Sequence, residues 1–162
     1  MPHAENPEAF SRDELETWSS VATLLEWLPA ALDAQLQRDA GISHFEFGVL
    51  FALSEAEDGA LRMSALASYA NSTLSRLSRA AARLERKGWV RRAPDPSDGR
   101  STIASLTEQG RDAVRAAAPG HVALVRRLVF DPLTRAQAEQ LRASSRRVTA
   151  AIRSDGGWRP LA

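Results

Sequence analysis

The segment from Leu61 to Gly110 constrains the fold of this 162-residue chain more than any other part of its sequence. It predicts a short helix that ends near Tyr69, a turn, and a second helix that carries several arginines. The second helix is expected to end at Lys87-Gly88, because a glycine after basic residues is typical of a helix C-terminus. Two short strands follow, and the turn residues Asp95-Pro96-Ser97-Asp98-Gly99 predict a hairpin loop of about five residues between them.

This order of elements is that of a winged helix, whose second helix can enter the major groove of DNA while the hairpin lies beside it. Small polar and forked basic side chains near the start of such a helix read base edges. The side chains of this kind are Ser72, Thr73, Ser75, Arg76 and Arg79. Arg91, Arg92 and Arg100 would add positive charge at the hairpin tip, where a flanking minor groove attracts arginine. A solvated surface helix could carry the same residues, but the hairpin that follows favours DNA binding.

The charge of the chain is divided between two unlike parts. Residues 1–60 contain two basic and twelve acidic side chains, whereas residues 61–162 contain nineteen basic and eight acidic ones. The net charges are −10 and +11, although the whole chain carries only +1. Positive charge concentrated in the second part indicates a polyanionic partner such as double-stranded DNA; a merely dipolar protein is the alternative.

The composition argues against an enzyme and against a membrane protein. Cysteine is absent, which excludes disulfides and thiol redox sensing. The histidines His3, His44 and His121 are far apart in the sequence and there is no glycine-rich phosphate loop, so no catalytic site, metal site or cofactor is predicted. The N-terminus lacks the features of a signal peptide, and no segment approaches the roughly 20 apolar residues that span a bilayer. We therefore expect a cytoplasmic protein that is not an enzyme.

Long helices are predicted on both sides of the Leu61–Gly110 segment. The first covers about residues 13–37 with apolar side chains at every third or fourth position, and Pro29 inside it should kink or split it. A second helix over about residues 44–55 is apolar nearly all round, which is typical of a buried helix. After Thr107 another helix begins, and a final helix follows it.

The most specific sequence pattern lies at the end of the hairpin. Asp98-Gly99-Arg100 is followed, after five intervening residues, by Leu106-Thr107 and then by Gly110. The preceding helix ends in Leu84-Glu85-Arg86-Lys87-Gly88, and Leu66-Ala67 lies in the short helix before it. With these motifs, residues 12–153 resemble the MarR family of bacterial transcription regulators.

The resemblance implies a fold, a domain organisation and two partners. The fold would be mainly α with a small β-hairpin wing. A winged helix-turn-helix domain over residues 43–107 would lie between helical dimerisation regions over 12–42 and 108–153, with a loose arm over 1–11 and a loose tail over 154–162. Two chains would form a homodimer that binds a pseudo-palindromic operator in double-stranded DNA. The resemblance favours a repressor over an activator.

The resemblance also assigns DNA contacts by position. They would be Ser72, Thr73, Ser75, Arg76 and Arg79 in the recognition helix, and Asp98 and Arg100 in the wing. A free Asp98 would repel phosphate, so its carboxylate is expected to hold Arg100 in position. Leu74 departs from the family pattern, since many members carry a polar or basic residue there, and the operator sequence does not follow from this helix.

Regulators of this family often bind a small aromatic or phenolic effector between the dimerisation helices and the winged helix. The candidate side chains here are Trp18, Trp27, His44, Phe45 and Phe51. The alternative is that the aromatic residues belong to the core and that His44 is a surface residue. The main alternative function is a winged-helix module that binds protein and not DNA.

Overall fold

The computed structural model describes residues 9–154, in which six α-helices are combined with a three-stranded antiparallel sheet. The helices are α1 (Arg12–Ala40), α2 (His44–Glu55), α3 (Met63–Tyr69), α4 (Leu74–Arg86), α5 (Glu108–Val125) and α6 (Arg135–Ser154), and the strands are β1 (Ala60–Arg62), β2 (Val90–Asp95) and β3 (Asp98–Leu106). A π-helical segment, Arg126–Phe130, extends α5. The prediction of a mainly α fold with a small hairpin is confirmed. The predicted loose arm and tail lie outside the described residues, apart from residues 9–11 and Ser154.

The first helix, α1, is a single helix of 29 residues. It begins with a capping box, in which the Ser11 hydroxyl accepts from the Glu14 N–H and the Glu14 carboxylate accepts from the Ser11 N–H. The prediction that Pro29 could split the helix is wrong. Proline removes one main-chain hydrogen bond, but Pro29 is exposed, so the carbonyl that it leaves without a partner can bond water and the helix continues.

The hydrophobic core lies where α2, α3 and α4 meet the sheet and the C-terminal part of α1. Its largest fully buried side chains are Leu36, Ile42, Leu50, Leu53, Leu66, Leu77 and Leu84. From α4 the core takes Leu77, Ala81 and Leu84, which lie on one face of that helix at helical spacing. The opposite face of α4 is therefore left to solvent or to a partner.

The hairpin is tighter than the sequence predicts. Asp95 pairs with Asp98, so only Pro96-Ser97 forms the turn and the prediction of a loop of about five residues is wrong. The physical reason is that the Asp95 carboxylate accepts a hydrogen bond from the backbone N–H at position 97, at 2.8 Å, which closes the turn locally. Arg91 and Arg92, expected at the tip, lie instead at the base of the hairpin.

Apolar side chains are exposed on the helices outside the core. The final helix, α6, has no buried residue, although the structure describes all of it. Its exposed apolar side chains are Leu141, Val148 and Ile152, and α1 exposes Leu15, Trp18, Val21, Leu24, Leu25 and Trp27. Over residues 9–154 no helix is long and apolar enough to cross a membrane.

Candidate nucleic-acid interface

The turn between α3 and α4 determines where the second helix begins. Asn71 has a left-handed backbone conformation with a φ of 45°, and the Ser72 N–H donates to the carbonyl of Ala67 at 3.0 Å. Thr73 is the N-cap of α4, and its hydroxyl accepts a hydrogen bond from the Arg76 N–H at 3.3 Å. The helix therefore starts at a surface turn, with its first residues open to solvent.

The face of α4 opposite the core carries Ser75, Arg79 and Arg86, all of which are exposed. Thr73 is also exposed, but its hydroxyl is engaged in capping and lies 3.3 Å from the Ser75 hydroxyl. Ser72 is half-buried, and its hydroxyl donates to the Thr73 carbonyl at 3.2 Å. Of the residues predicted to contact DNA, Ser75 and Arg79 are thus the ones whose side chains lie on the outward face.

Arg76 lies on the flank of α4 that faces α2. Its guanidinium carbon is 4.3 Å from the centre of the Phe45 ring, in a cation–π arrangement. On the same flank, Arg83 forms an ion pair with the buried carboxylate of Glu46. Burial raises the pKa of Glu46, but hydrogen bonds from Ser43 and Arg83 lower it by more, so the carboxylate stays charged. These contacts connect α4 to α2.

Arg92 ties the base of the hairpin to α4. Its guanidinium donates to the Glu85 carboxylate through Nε and Nη2, at 3.0 and 2.8 Å, and its backbone N–H donates to the same carboxylate. Its Nη1 also reaches the Ser78 hydroxyl at 3.4 Å. These hydrogen bonds from Arg92 lower the pKa of Glu85. Arg92 therefore braces the wing against the helix, a role that its place in a basic run does not reveal.

Arg62, at the end of β1, holds the hairpin near its tip. Its Nε lies 2.7 Å from the buried carboxylate of Asp95, and its Nη2 donates to the Ser97 hydroxyl at 3.1 Å. Hydrogen bonds from the hydroxyl and backbone N–H of Ser97 lower the pKa of Asp95, and Arg62 adds to this effect. No pattern around Arg62 indicates this role, because only the pairing of β1 with β3 brings Arg62 to the wing.

The wing exposes one arginine beside a carboxylate. The Asp98 Oδ1 accepts a hydrogen bond from the Arg100 N–H at 3.2 Å and lies 3.6 Å from the Arg100 Nε. The Asp98 Oδ2 accepts from the Ser101 hydroxyl at 3.0 Å. The predicted contact between Asp98 and Arg100 is confirmed. Because the Arg100 side chain is 97% exposed, this ion pair orients the side chain but adds little to the stability of the fold.

A set of hydrogen bonds joins the wing to α5. The Thr107 hydroxyl donates to the carbonyl of Gly88 at 2.7 Å and accepts from the Gly110 N–H at 3.0 Å, while the Thr107 N–H donates to the carbonyl of Trp89. Gly88 has a φ of +75°, a conformation that favours glycine. The segment between α4 and β2 and the first turn of α5 are therefore joined through one residue, Thr107.

A mostly apolar cavity of about 870 Å³ lies between α2, α5 and the π-helical segment. Its lining residues are His44, Phe47, Gly48, Phe51, Val114, Ala118, His121, Val122, Val125, Arg126, Phe130 and Asp131. The rings of His44 and His121 are stacked with their centres 5.7 Å apart, and the Phe47 ring lies 4.8 Å from that of His121. Two histidines that are distant in sequence are thus neighbours in the fold, whereas His3 lies outside the described residues.

The structure separates the residues predicted to bind an effector. His44 and Phe51 line the cavity, and Phe51 is 42% exposed although its helix was expected to be buried all round. Phe45 lines a neighbouring groove that also contains Arg76. Trp18 and Trp27 are exposed on α1 and line neither space. Phe47 and His121 also line the cavity but were not predicted from the sequence. Phe47 looks like any other apolar residue of α2, and no motif surrounds His121.

The two stacked histidines should make stability depend on pH. Burial lowers the pKa of His44, which Asp33 partly offsets, and burial together with His44 lowers the pKa of His121. Since the pKa values of both histidines in the folded protein lie below the ordinary 6.5, the unfolded chain binds more protons than the folded protein just below pH 6.5. Their contribution to stability is complete above pH 6.5 and declines as the pH falls toward the folded-state values. Urea unfolding from about pH 8 to 5 measures this, and the His121→Asn variant should lose less stability on acidification than the parent protein. Equal losses in the two proteins would contradict the prediction.

Comparison with known proteins agrees with this geometry. Residues 40–101 match the sequence profile of the MarR family. One similar structure is that of Sco3205, a MarR family transcriptional regulator from Streptomyces coelicolor, in complex with DNA. Its sequence is 44% identical to this chain, and the two structures align with a TM-score of 0.87 over 92% of this chain and 93% of Sco3205. AbsC, a MarR family transcriptional regulator from the same organism, is 32% identical with a TM-score of 0.85, covering 90% of this chain and 98% of its own.

A more distant structure shares the fold. CouR from Rhodococcus jostii RHA1, solved with bound p-coumaroyl-CoA, is 23% identical with a TM-score of 0.68, covering 87% of this chain and 94% of its own. No curated protein sequence matches the chain significantly. The identity and coverage of the two Streptomyces structures, together with the capped helix and braced wing, show that the chain belongs to the MarR family of transcriptional regulators.

Proposed function

We propose that the protein acts as a homodimer that binds a pseudo-palindromic operator in double-stranded DNA and represses transcription from it. The observation that carries this proposal is the position of the wing beside the start of α4. Leu74 of α4 and Arg100 of the wing line the same recess, while Ser75 and Arg79 lie exposed next to it. A helix start and an arginine placed in this way can meet the major groove and an adjoining minor groove of one duplex.

The apolar faces outside the core support the homodimer. Among residues 9–154 nothing buries a side chain of α6, and an amphipathic helix without packing partners is marginal in water, so α6 calls for another surface. The exposed apolar side chains of α1 offer a surface of the same kind. A second copy of the chain would cover both, and a two-fold dimer would present two recognition helices to the two halves of an operator.

The cavity between α2 and α5 supports a small aromatic or phenolic effector. Its apolar wall contains Phe47 and Phe51, and the stacked pair His44 and His121 supplies polar ring nitrogens at one side. The Nδ1 atoms of both histidines are buried without a hydrogen-bond partner among residues 9–154. A phenolic hydroxyl or carboxylate in the cavity could bond to the other ring nitrogen, Nε2, of either histidine while its ring packs against the phenylalanines. Because α5 is joined to the wing through Thr107, a ligand that moves α5 would move the wing.

DNA binding is tested most directly with arginine variants of the outward face. An operator is first isolated by selecting genomic fragments that bind the purified protein, and affinity is then measured by fluorescence anisotropy at several salt concentrations. Arg79→Ala and Arg100→Ala should each weaken binding about tenfold, because each removes a base or phosphate contact. Arg115→Ala is the matched control, since that guanidinium pairs with Glu108 and Asp112 on α5.

Two outcomes would count against this function. If no duplex binds even at low salt, the protein-interaction module is the better explanation, and if all three variants bind equally the interface is misplaced. Repeating the selection with phenolic acids present tests the effector, which should lower the yield of bound fragments. A reporter gene placed behind the operator distinguishes repression from activation by the direction of the change.

A further inference from the structure

Leu74 is a large apolar side chain in an otherwise polar part of the surface. It is the first residue of α4, and its neighbours Thr73 and Ser75 are both exposed and polar. Leu74 itself is 46% exposed, whereas the buried stripe of the same helix begins one turn later with Leu77. Single exposed apolar side chains are common on protein surfaces, so what distinguishes Leu74 is the place where its exposed part lies.

The packing of Leu74 leaves one side uncovered. The residue lines a small recess of about 240 Å³ between α4, the start of α3 and the wing. The other lining residues are Met63, Ser64, Ser78, Arg92, Arg100, Ser101 and Thr102. Most of these are polar, and Arg92 is already bound to Glu85, so the recess offers Leu74 little apolar contact. The side chain is thus held between helix and wing with its remaining surface toward solvent.

The chemistry of the major groove limits what this surface can contact. Each base edge presents hydrogen-bond donors or acceptors there, and the C5-methyl group of thymine is the one apolar group among them. A leucine at the start of a recognition helix cannot satisfy a polar edge, but it can bury a methyl group. A basic side chain at this position would instead favour a guanine or a phosphate, and an amide side chain an adenine.

We propose that Leu74 is a specificity-determining residue that packs against the C5-methyl group of one thymine in each half of the operator. The inference rests on the proposed DNA-binding function and adds the base that this residue selects. Burying one methyl group strengthens binding about fourfold, so two half-sites together would contribute about fifteenfold.

The test replaces thymine with deoxyuridine, which removes only the methyl group and keeps every hydrogen-bonding atom. Each thymine of the selected operator is replaced in turn, symmetrically in both half-sites, and affinity is measured by fluorescence anisotropy. At one position the loss of methyl groups should weaken binding of the parent protein about fifteenfold. Leu74→Ala should bind the unmodified operator more weakly and should not respond to deoxyuridine at that position.

Two further variants make the result specific. Leu74→Met keeps an apolar side chain and should retain the response, and Ser75→Ala, on the neighbouring exposed position, should also retain it. If Leu74→Ala responds to every deoxyuridine as the parent protein does, Leu74 only supports the wing and the inference is overturned, while DNA binding stands. A parent protein that responds to no deoxyuridine overturns it equally. If the unmodified operator does not bind at all, the proposed function fails first.

Discussion

Gly110→Ala is expected to lower the free energy of unfolding by about 3 kcal/mol, since overpacking against rigid backbone is costly. A β-carbon on Gly110 would lie 2.2 Å from the carbonyl oxygen of Trp89 and 2.6 Å from the Leu106 Cδ1. The Trp89 carbonyl cannot give way easily, because it accepts the hydrogen bond from the Thr107 N–H that starts α5. The glycine in the Leu-Thr-x-x-Gly motif is therefore required by the close approach of α5 to the wing.

Urea unfolding of both proteins at one fixed concentration measures the effect, because the stability of the proposed dimer would depend on concentration. Gly48→Ala is the matched control: Gly48 lies inside α2, and a β-carbon there would meet no atom within 4 Å apart from its chain neighbours and the backbone of its own helix. That variant should gain up to about 1 kcal/mol, because alanine has the higher helix propensity. The prediction would be refuted by a Gly110→Ala variant as stable as the parent protein. In a variant that still folds, DNA affinity should fall as well, because the wing shifts with α5.

The elements of the fold follow from local signals in the sequence. Helical spacing of apolar residues, the capping residues Ser11 and Thr73, and the glycine after Lys87 each describe an interaction between near neighbours in the chain. Such interactions can be read without knowing the tertiary structure. The family itself was identified from Asp98-Gly99-Arg100 and the motif that follows it, and this identification is confirmed.

The roles of individual charged residues could not be read in the same way. Arg92 was grouped with the basic residues of the wing tip, yet it is bound by Glu85, seven residues earlier in the chain. Arg62 carried no signal at all, and its contact with Asp95 depends on a strand pairing between distant segments. A sequence gives the number of arginines in a segment, whereas their partners depend on the tertiary contacts. The set of predicted DNA contacts therefore stays a prediction.

The candidate effector site shows the same limit for aromatic residues. Trp18 and Trp27 were predicted to contact an effector; they are exposed on α1 in the single chain and line neither the cavity nor the neighbouring groove, so their role stays a prediction. The cavity is formed instead where α2 crosses α5, and its two histidines come from positions 77 residues apart. Nothing local to His121 marks it, because its neighbour His44 belongs to another helix.

Val148→Asp is expected to convert the protein to a monomer and to weaken binding of a full operator at least about 100-fold, because a single chain can engage only one half-site. Val148 lies in α6 and is 60% exposed in the single chain, on the same face as Leu141 and Ile152. A carboxylate buried in an apolar interface without a partner is strongly unfavourable, so the charge should prevent association. Sedimentation measures the oligomeric state, and fluorescence anisotropy measures the affinity.

In the monomer the core formed around Leu50 and Leu84 should remain folded, because α6 contributes no buried residue to it, whereas α6 itself should lose helix content. Circular dichroism checks this directly. Ala150→Asp carries the same charge on the opposite face of α6 and should leave both dimerisation and affinity close to those of the parent protein. If Val148→Asp stays dimeric, the α6 face around Val148 does not form the interface, and the dimer must use other exposed apolar surfaces such as that of α1. If it becomes monomeric but binds the full operator with unchanged affinity, the proposal that a two-fold dimer binds both half-sites is wrong, since a single winged helix would then be sufficient.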